Sequence, residues 1–265
     1  MSKKSYSIGR ILTLALALTG AFLFSTAQAA DGFKIMSYNV RNGKGLDDKT
    51  DYARIGDVIN KEAPEVVAIQ ELDCKTKRSN GADVLGEFAK LTDMTPSYGP
   101  AIEFQGGQYG IGILSKEKPI AVDYYPLPGS EEQRCLLVVE FEKYVFCCTH
   151  WSLTAKDRTT SAEIVTNKMK EQKKPVVICG DFNAGIKEDS IQKIKKDGAT
   201  LNDDETNTFP ADEPTVHIDY IFAADPTGKI SADDWKNAVK ETYVVEEKVA
   251  SDHRPVVVVL DADLL

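Results

Sequence analysis

Eight polar residues of the kinds that move protons or hold cations stand at or beside the ends of apolar runs in this chain. "IMSYNVRNG" carries Asn39, "AIQELD" carries Glu71, "CCTHWS" carries His150, and "ICGDFNA" carries Asp181 and Asn183. "IDYIF" holds Asp219 among apolar residues, and "SDHRPVVVV" opens with Asp252 and His253. Carboxylates and imidazoles accept and return protons near neutral pH, and carboxylate and amide oxygens suit a hard divalent cation. Each position alone reads more readily as a cap, a turn or a solvated loop residue, and an isolated Gly180-Asp181-x-Asn183 more readily as a polar turn that closes a strand. Asp219 is the exception, because a carboxylate inside an apolar strand must find a partner or shift its pKa. Two of the three histidines fall in this set; the third, His217, lies two residues from Asp219 and is read as a supporting residue on the same strand face. The Cys and His spacing of a structural zinc site is absent from the sequence.

These residues need elements to carry them. Apolar runs and alternations predict strands over 33–39, 65–70, 110–115, 119–125, 134–141, 144–150, 175–179, 217–222, 241–246 and 254–260. Helical spacing is clearest over 51–61, 82–91 and 155–171. The first two helices sit between strands, whereas the strands from 110 to 150 follow one another through short turns, as hairpins do, with Glu142-Lys143 at one tip. Crossovers together with hairpins predict mixed sheets covered by helices. If the strand ending near residue 179 stays extended, Asp181 and Asn183 point to one side. Cys147 and Cys148 in a strand point to opposite faces, and the five cysteines leave open which are buried thiols and which are paired.

Residues 1–29 read as a secretory signal peptide: Lys3, Lys4 and Arg10, then an uncharged, mostly apolar run of 14 residues from Ile11 to Phe24, then Ala27-Gln28-Ala29. That run is shorter than the ~20 residues a membrane span needs, so no stable membrane insertion is expected after cleavage. Residues 30–265 are expected to form one domain, exported to the periplasm or beyond the cell. Loss of the leader takes the formal net charge from −9 to −12, which argues against a broad basic surface for gripping a polyanion.

Together these motifs, in this order, resemble the endonuclease/exonuclease/phosphatase superfamily, the metal-dependent phosphohydrolases of DNase I-like fold. "IQELDCKTKRSNGAD" and "YGIGILSK" are similar to its small exported bacterial members, although Ile111 stands where relatives often carry a polar residue. The resemblance implies an α/β (α+β) fold, a four-layer sandwich of two packed mixed sheets flanked by helices, with the site along one edge. It implies Mg²⁺, or Mn²⁺, held by Asn39, Glu71 and Asp252. It further implies Asp181 and Asn183 flanking the attacking water, His253 held by Asp219, and His150 as phosphate contact or general acid. Arg41 and the loop "CKTKRSN", with Arg78, could form a basic rim for an anionic substrate, or the loop is an ordinary solvated one.

The expected activity is hydrolysis of a phosphodiester by a metal-activated water, acting on a phosphate ester of undefined identity. Two alternatives stand beside it: an exported endonuclease acting on DNA or RNA, and a catalytically silent binding protein on the same fold. A silent member would have lost one of Asn39, Glu71, Asp181, Asn183, Asp219, Asp252 or His253, and all seven are present. The short acidic stretch between Gly185 and Val216 leaves little basic surface for a DNA groove, and no exposed apolar insertion suggests docking on a membrane.

Overall fold

Unbroken β-branched runs such as "VVVVL" and "PVVIC" have no polar alternation, so strands made from them must be covered on both faces. The computed structural model, which describes residues 32–202 and 205–265, supplies that cover. The expected leader lies outside the described residues.

Two six-stranded sheets pack face to face. One runs β11 (Val239–Val244), β12 (Val256–Leu260), β1 (Phe33–Asn39), β2 (Val66–Cys74), β4 (Gly107–Ser115), β3 (Thr95–Phe104). The other runs β5 (Ala121–Leu127), β6 (Arg134–Glu140), β7 (Val145–His150), β8 (Val176–Asp181), β10 (Asp219–Ala224), β9 (Ala199–Thr200). β1 and β2 pair in parallel, as do β7 and β8, and the other pairs are antiparallel. Ile35, Val66, Ile113 and Val258 meet Leu137, Phe146, Cys179 and Ile221 between the sheets. Helices α1 (Tyr52–Glu62) and α2 (Val84–Thr92) follow the first sheet's strands in sequence, and that sheet's other face packs with them through Ile55, Ile59, Val84 and Phe88. α3 (Ala155–Lys170) and α4 (Asp189–Lys196) cover the second through Val165, Met169, Ile191 and Ile194. Asp51 and Asp83 cap α1 and α2 by accepting the N–H of Arg54 and Gly86, which stops each helix from fraying into its loop. α5 (Ala232–Asn237) opens with a capping box between Ser231 and Asp234 and buries Trp235.

Three features depart from the sequence reading. The runs at 110–115 and 119–125 are not hairpin partners, because β4 and β5 belong to different sheets and residues 116–120 cross between them. The partner of β4 is instead β3, an edge strand that contains Pro96 and Pro100 and so lacks the apolar alternation of a half-buried strand. Its two-residue turn, Gln105-Gly106, takes positive φ at both positions, 49° and 84°, as a tight right-twisted hairpin requires. His217 is not in a strand with Asp219: β10 starts at Asp219, and the His217 ring bonds instead to Asn202 and the Thr206 carbonyl. The hairpin β5–β6–β7 matches expectation, and Cys147 and Cys148 do point to opposite faces. All five cysteines are free thiols.

Phe182, between Asp181 and Asn183, ties the second sheet to the site. Its ring is fully buried, edge-on to Trp151 at 4.7 Å and Phe222 at 5.2 Å. Phe182→Ala is expected to destabilise the fold by about 3–5 kcal/mol in urea unfolding, as for other buried aromatic truncations. A loss under about 1 kcal/mol would mean that this packing does not hold the β8 terminus.

Candidate active site

Alternate residues of a strand share a face, so the rows that line the inter-sheet core run on to the strand ends. Ile35 leads to Asn39, Phe146 and Cys148 to His150, Val177 and Cys179 to Asp181, and Ile221 back to Asp219. At one edge of the sandwich the apolar layer therefore turns polar. Register sets the neighbours: His150 lies opposite Asp181 across β7–β8, and Asp181 opposite Asp219 across β8–β10. Asn39 closes the gap from the other sheet, its amide nitrogen 3.1 Å from Asp181 Oδ2 and 3.1 Å from Glu71 Oε1.

Glu71 arrives by a distortion. It lies inside β2 rather than beyond it, and between Ile69 (opposite Gly112) and Leu72 (opposite Gly110) two residues of β2 face one of β4. Glu71 takes φ 62°, and Leu72 rather than Glu71 packs under the helices. The bulge thus moves Glu71 from the helix-facing side to the site. Asn183 is also bent out of the strand, at φ 48°, so the extended geometry expected for it does not persist. Its backbone N–H donates to Asp181 Oδ1 at 2.9 Å and its side-chain amide donates to the Trp151 carbonyl at 2.9 Å. Arg41 takes φ 44°, and such left-handed non-glycine residues concentrated at one edge are strain of the kind functional sites retain.

Asp181 is the hub. Its Oδ2 accepts from Asn39 and lies 3.4 Å from His150 Nε2 and 3.6 Å from His253 Nε2. Burial raises its pKa to about 7, with the charge of Asp219 adding and that of His253 opposing. His253 Nδ1 meets Asp219 Oδ2 at 3.0 Å, and the same oxygen accepts from Thr208 Oγ1 at 2.5 Å. Burial opposes charge on His253, but Asp219 and Asp181 outweigh it and raise its pKa to about 10. His150 moves the other way: burial, with the charges of Arg134 and His253 adding, holds it well below the ordinary imidazole value.

The oxygen donors fit a hard divalent cation. Glu71 has Asn39 as its one hydrogen-bond donor among the described residues and no ion pair with Lys or Arg, and burial raises its pKa. The Asp252 charge reaches Glu71, and Asp252 itself lies 3.5 Å from Arg41 Nε. A partly buried carboxylate with no Lys or Arg partner among the described residues, with a second carboxylate nearby that pairs with one arginine, offers the few protein oxygens that Mg²⁺ takes while it keeps several waters. Among the described residues, the His, Cys, Asp and Glu ligand atoms that lie within 4.8 Å of one another in a group of three belong instead to Asp181, Asp219 and His253. That trio is already satisfied internally by the Asp219–His253 bond, so Glu71 and Asp252 are the better cation donors. Asn39 presents its amide nitrogen to the carboxylates, while its Oδ1 accepts the Arg41 N–H at 3.1 Å, so in this structure it orients Glu71.

The two rim arginines differ. Arg41 is partly exposed beside Asp252, whereas Arg78 is spent on a two-pronged bond to Asp73, at 2.7 and 2.8 Å, and stacks over Phe104 and Tyr109. Sequence reasoning missed three contributors. Ser251 donates to the Asn39 carbonyl at 2.7 Å and so docks the 251–253 loop on β1; Thr208 holds Asp219; Arg134 touches His150. Arg134 left a signal, a charged residue opening an apolar strand, whereas Thr208 and Ser251 left none.

Two packed mixed sheets with helices outside, and carboxylates, imidazoles and an amide gathered at their common edge, are the architecture of a DNase I-like hydrolase. The chain belongs to the Endonuclease/Exonuclease/phosphatase family, which it matches over residues 36–253. Members of that family hydrolyse phosphoester bonds. Among solved structures it is similar to a family protein of Bacteroides vulgatus (TM-score 0.68, 17% identity, 86% of this chain and 98% of that one). It is also similar to a mannosyl-6-phosphatase of Bacteroides thetaiotaomicron (TM-score 0.59, 20% identity, 86% and 98%). A third similarity is to a D. rerio TDP2 carrying 14 humanizing mutations (TM-score 0.65, 18% identity, 87% and 99%). At these identities the likeness shows the shared fold.

Proposed function

We propose that this protein is an exported, Mg²⁺-dependent phosphodiesterase. One observation carries the preference for a diester: each arginine at the site is already paired with carboxylates, Arg41 with Asp252, Arg78 with Asp73, and Arg134 with Glu131 and Glu132. A site with so little uncommitted positive charge suits the single charge of a diester better than the double charge of a monoester. The same shortage, with a net charge of −9, disfavours a groove for duplex nucleic acid.

A divalent cation bound by Glu71 and Asp252 would neutralise phosphate charge and make a nearby water more acidic. Asp181, with its pKa near the working pH, takes the water's proton, and Asn183 holds the Asp181 carboxylate in place through its backbone N–H. His253, cationic and braced by Asp219, donates its second N–H to a phosphate oxygen. The leader-like N-terminus supports export, and no helix among the described residues is long and apolar enough to cross a membrane.

The test compares bis-(p-nitrophenyl) phosphate, p-nitrophenyl phosphate and supercoiled plasmid, with Mg²⁺ and with EDTA. Faster Mg²⁺-dependent turnover of the diester is expected. A faster monoester or plasmid reaction would overturn the substrate class, and no turnover with any divalent metal would overturn the activity.

The pH profile follows from the same groups. Asp181 must be unprotonated, so kcat/KM is expected to rise through about pH 7. His253 must be protonated, so the rate is expected to fall through about pH 10. Asp219→Asn removes the anion that sustains the His253 cation, and the alkaline limb should move to lower pH. An unmoved alkaline limb would take His253 out of that role.

A further inference from the structure

Arg134 opens β6 and is 7% exposed, yet it reaches the heart of the site. Its Nη1 lies 3.1 Å from His150 Nδ1 and 3.1 Å from Glu132 Oε1, and its Nη2 lies 3.2 Å from Glu131 Oε1. Glu131 in turn accepts from Ser152 Oγ and the Leu153 N–H, both at 2.8 Å, which anchors the loop that follows His150.

We propose that Arg134 is a positioning residue that fixes His150 as the Nε2–H tautomer, aimed at the Asp181 carboxylate where a phosphate oxygen would arrive. Its catalytic consequence rests on the hydrolase reading; the tautomer does not. A guanidinium has donors and no acceptor, so the nitrogen it faces must be bare. His150 Nδ1 therefore carries no proton, and the single proton of the neutral ring sits on Nε2, 3.4 Å from Asp181 Oδ2. Across Asp181 the arrangement is reversed, because His253 Nδ1 faces the acceptor Asp219 and is protonated. Two histidines flank one carboxylate, an arginine behind the first and an aspartate behind the second, so the first is a neutral donor and the second a cation. His150 then serves as a hydrogen-bond donor to the phosphate rather than as a general acid. The charged and titratable groups facing it are Arg134, Asp181 and His253, with Glu131 and Glu132 acting through Arg134.

The chain has three histidines, so their ring nitrogens can be resolved by long-range ¹H–¹⁵N NMR of the ¹⁵N-labelled protein. His150 is expected to show a bare Nδ1 and a protonated Nε2, and His253 two protonated nitrogens. In Arg134→Met, His150 should leave this pattern, towards tautomer exchange or double protonation; in Arg134→Lys, which also only donates, it should keep it. Glu131→Ala cuts the second brace and the loop anchor but spares the Nδ1 contact, so the pattern should persist there too. kcat should fall about tenfold in Arg134→Met, less than for outright loss of a transition-state donor, and recover in Arg134→Lys. A wild-type His150 protonated on Nδ1, or an Arg134→Met spectrum equal to wild type, would overturn the proposal. If Arg134→Met fails to fold, the wild-type and Arg134→Lys spectra still decide. Absent phosphoester turnover with the expected ring pattern would sink the hydrolase reading and leave the tautomer assignment standing.

Discussion

Asp181→Asn is expected to lower kcat by about 10³-fold with the fold retained, within the range general-base removal usually costs. An amide keeps the shape of the carboxylate and one acceptor, for either the Asn39 amide at Oδ2 or the Asn183 N–H at Oδ1, but it cannot take a proton from water. The variant should therefore bind substrate with little change in KM, because what is lost acts in the transition state. Stability offers a second readout. In the wild type the Asp181 pKa in the folded state, about 7, lies above its ordinary value of 3.8, so folding favours its protonated form. Its contribution is fully present below about pH 4 and is lost as pH rises towards 7. In Asp181→Asn that fall should flatten, measured by urea midpoints at pH 4, 5, 6 and 7. Retained activity would transfer the base role to another group, and an unchanged pH slope would deny Asp181 its raised pKa.

Glu71→Gln is expected to abolish the response to Mg²⁺ and lower kcat/KM by at least about 10³-fold, since a bound metal's share of such a reaction is worth several kcal/mol. The amide oxygen can still accept from Asn39, so the apo-protein should fold. A cation that binds the native state stabilises it by about 2.7 kcal/mol at one hundred times its Kd, visible as a raised Tm. That rise is expected in the wild type and absent in Glu71→Gln. Burial holds the Glu71 pKa above the ordinary carboxylate value, so protons compete with the cation and Mg²⁺ affinity should weaken as pH falls, at a higher pH than for a free carboxylate. Equal Mg²⁺-induced Tm shifts in both proteins would place the cation elsewhere.

Much of this is legible in the sequence. Ten runs predicted strands, and ten strands lie where those runs fall: β-branched stretches such as those of β8 and β12 have no polar face, and the more polar β5 and β11 are short β-branched or aromatic runs bounded by turns. Asn39, Glu71, His150, Asp181, Asp219, Asp252 and His253 could be singled out because each is a polar group next to an apolar run, and burial there demands partners. What escaped was of two kinds. β9, α5 and α4, at two, six and eight residues, are too short for periodicity to register, and β3 with its prolines reads as loop. Thr208 and Ser251 are ordinary polar residues whose value lies in what they touch.

The sequence by itself determined ten of the twelve strands among the described residues, the two-faced burial of the central ones and the main polar residues that gather at the sheet edge, since these follow from side-chain type and local spacing. The tertiary structure alone decided that β4 and β5 part into different sheets, that a bulge turns Glu71 from the helices to the site, and that Arg78 is spent on Asp73 while Arg134 backs His150. Those outcomes depend on register and on contacts between residues far apart in the chain. His150, at the end of β7, and His253, in the loop before β12, are the same side chain; burial and the guanidinium behind it hold His150 below the ordinary imidazole value, whereas Asp219 behind it and Asp181 before it raise His253 above that value.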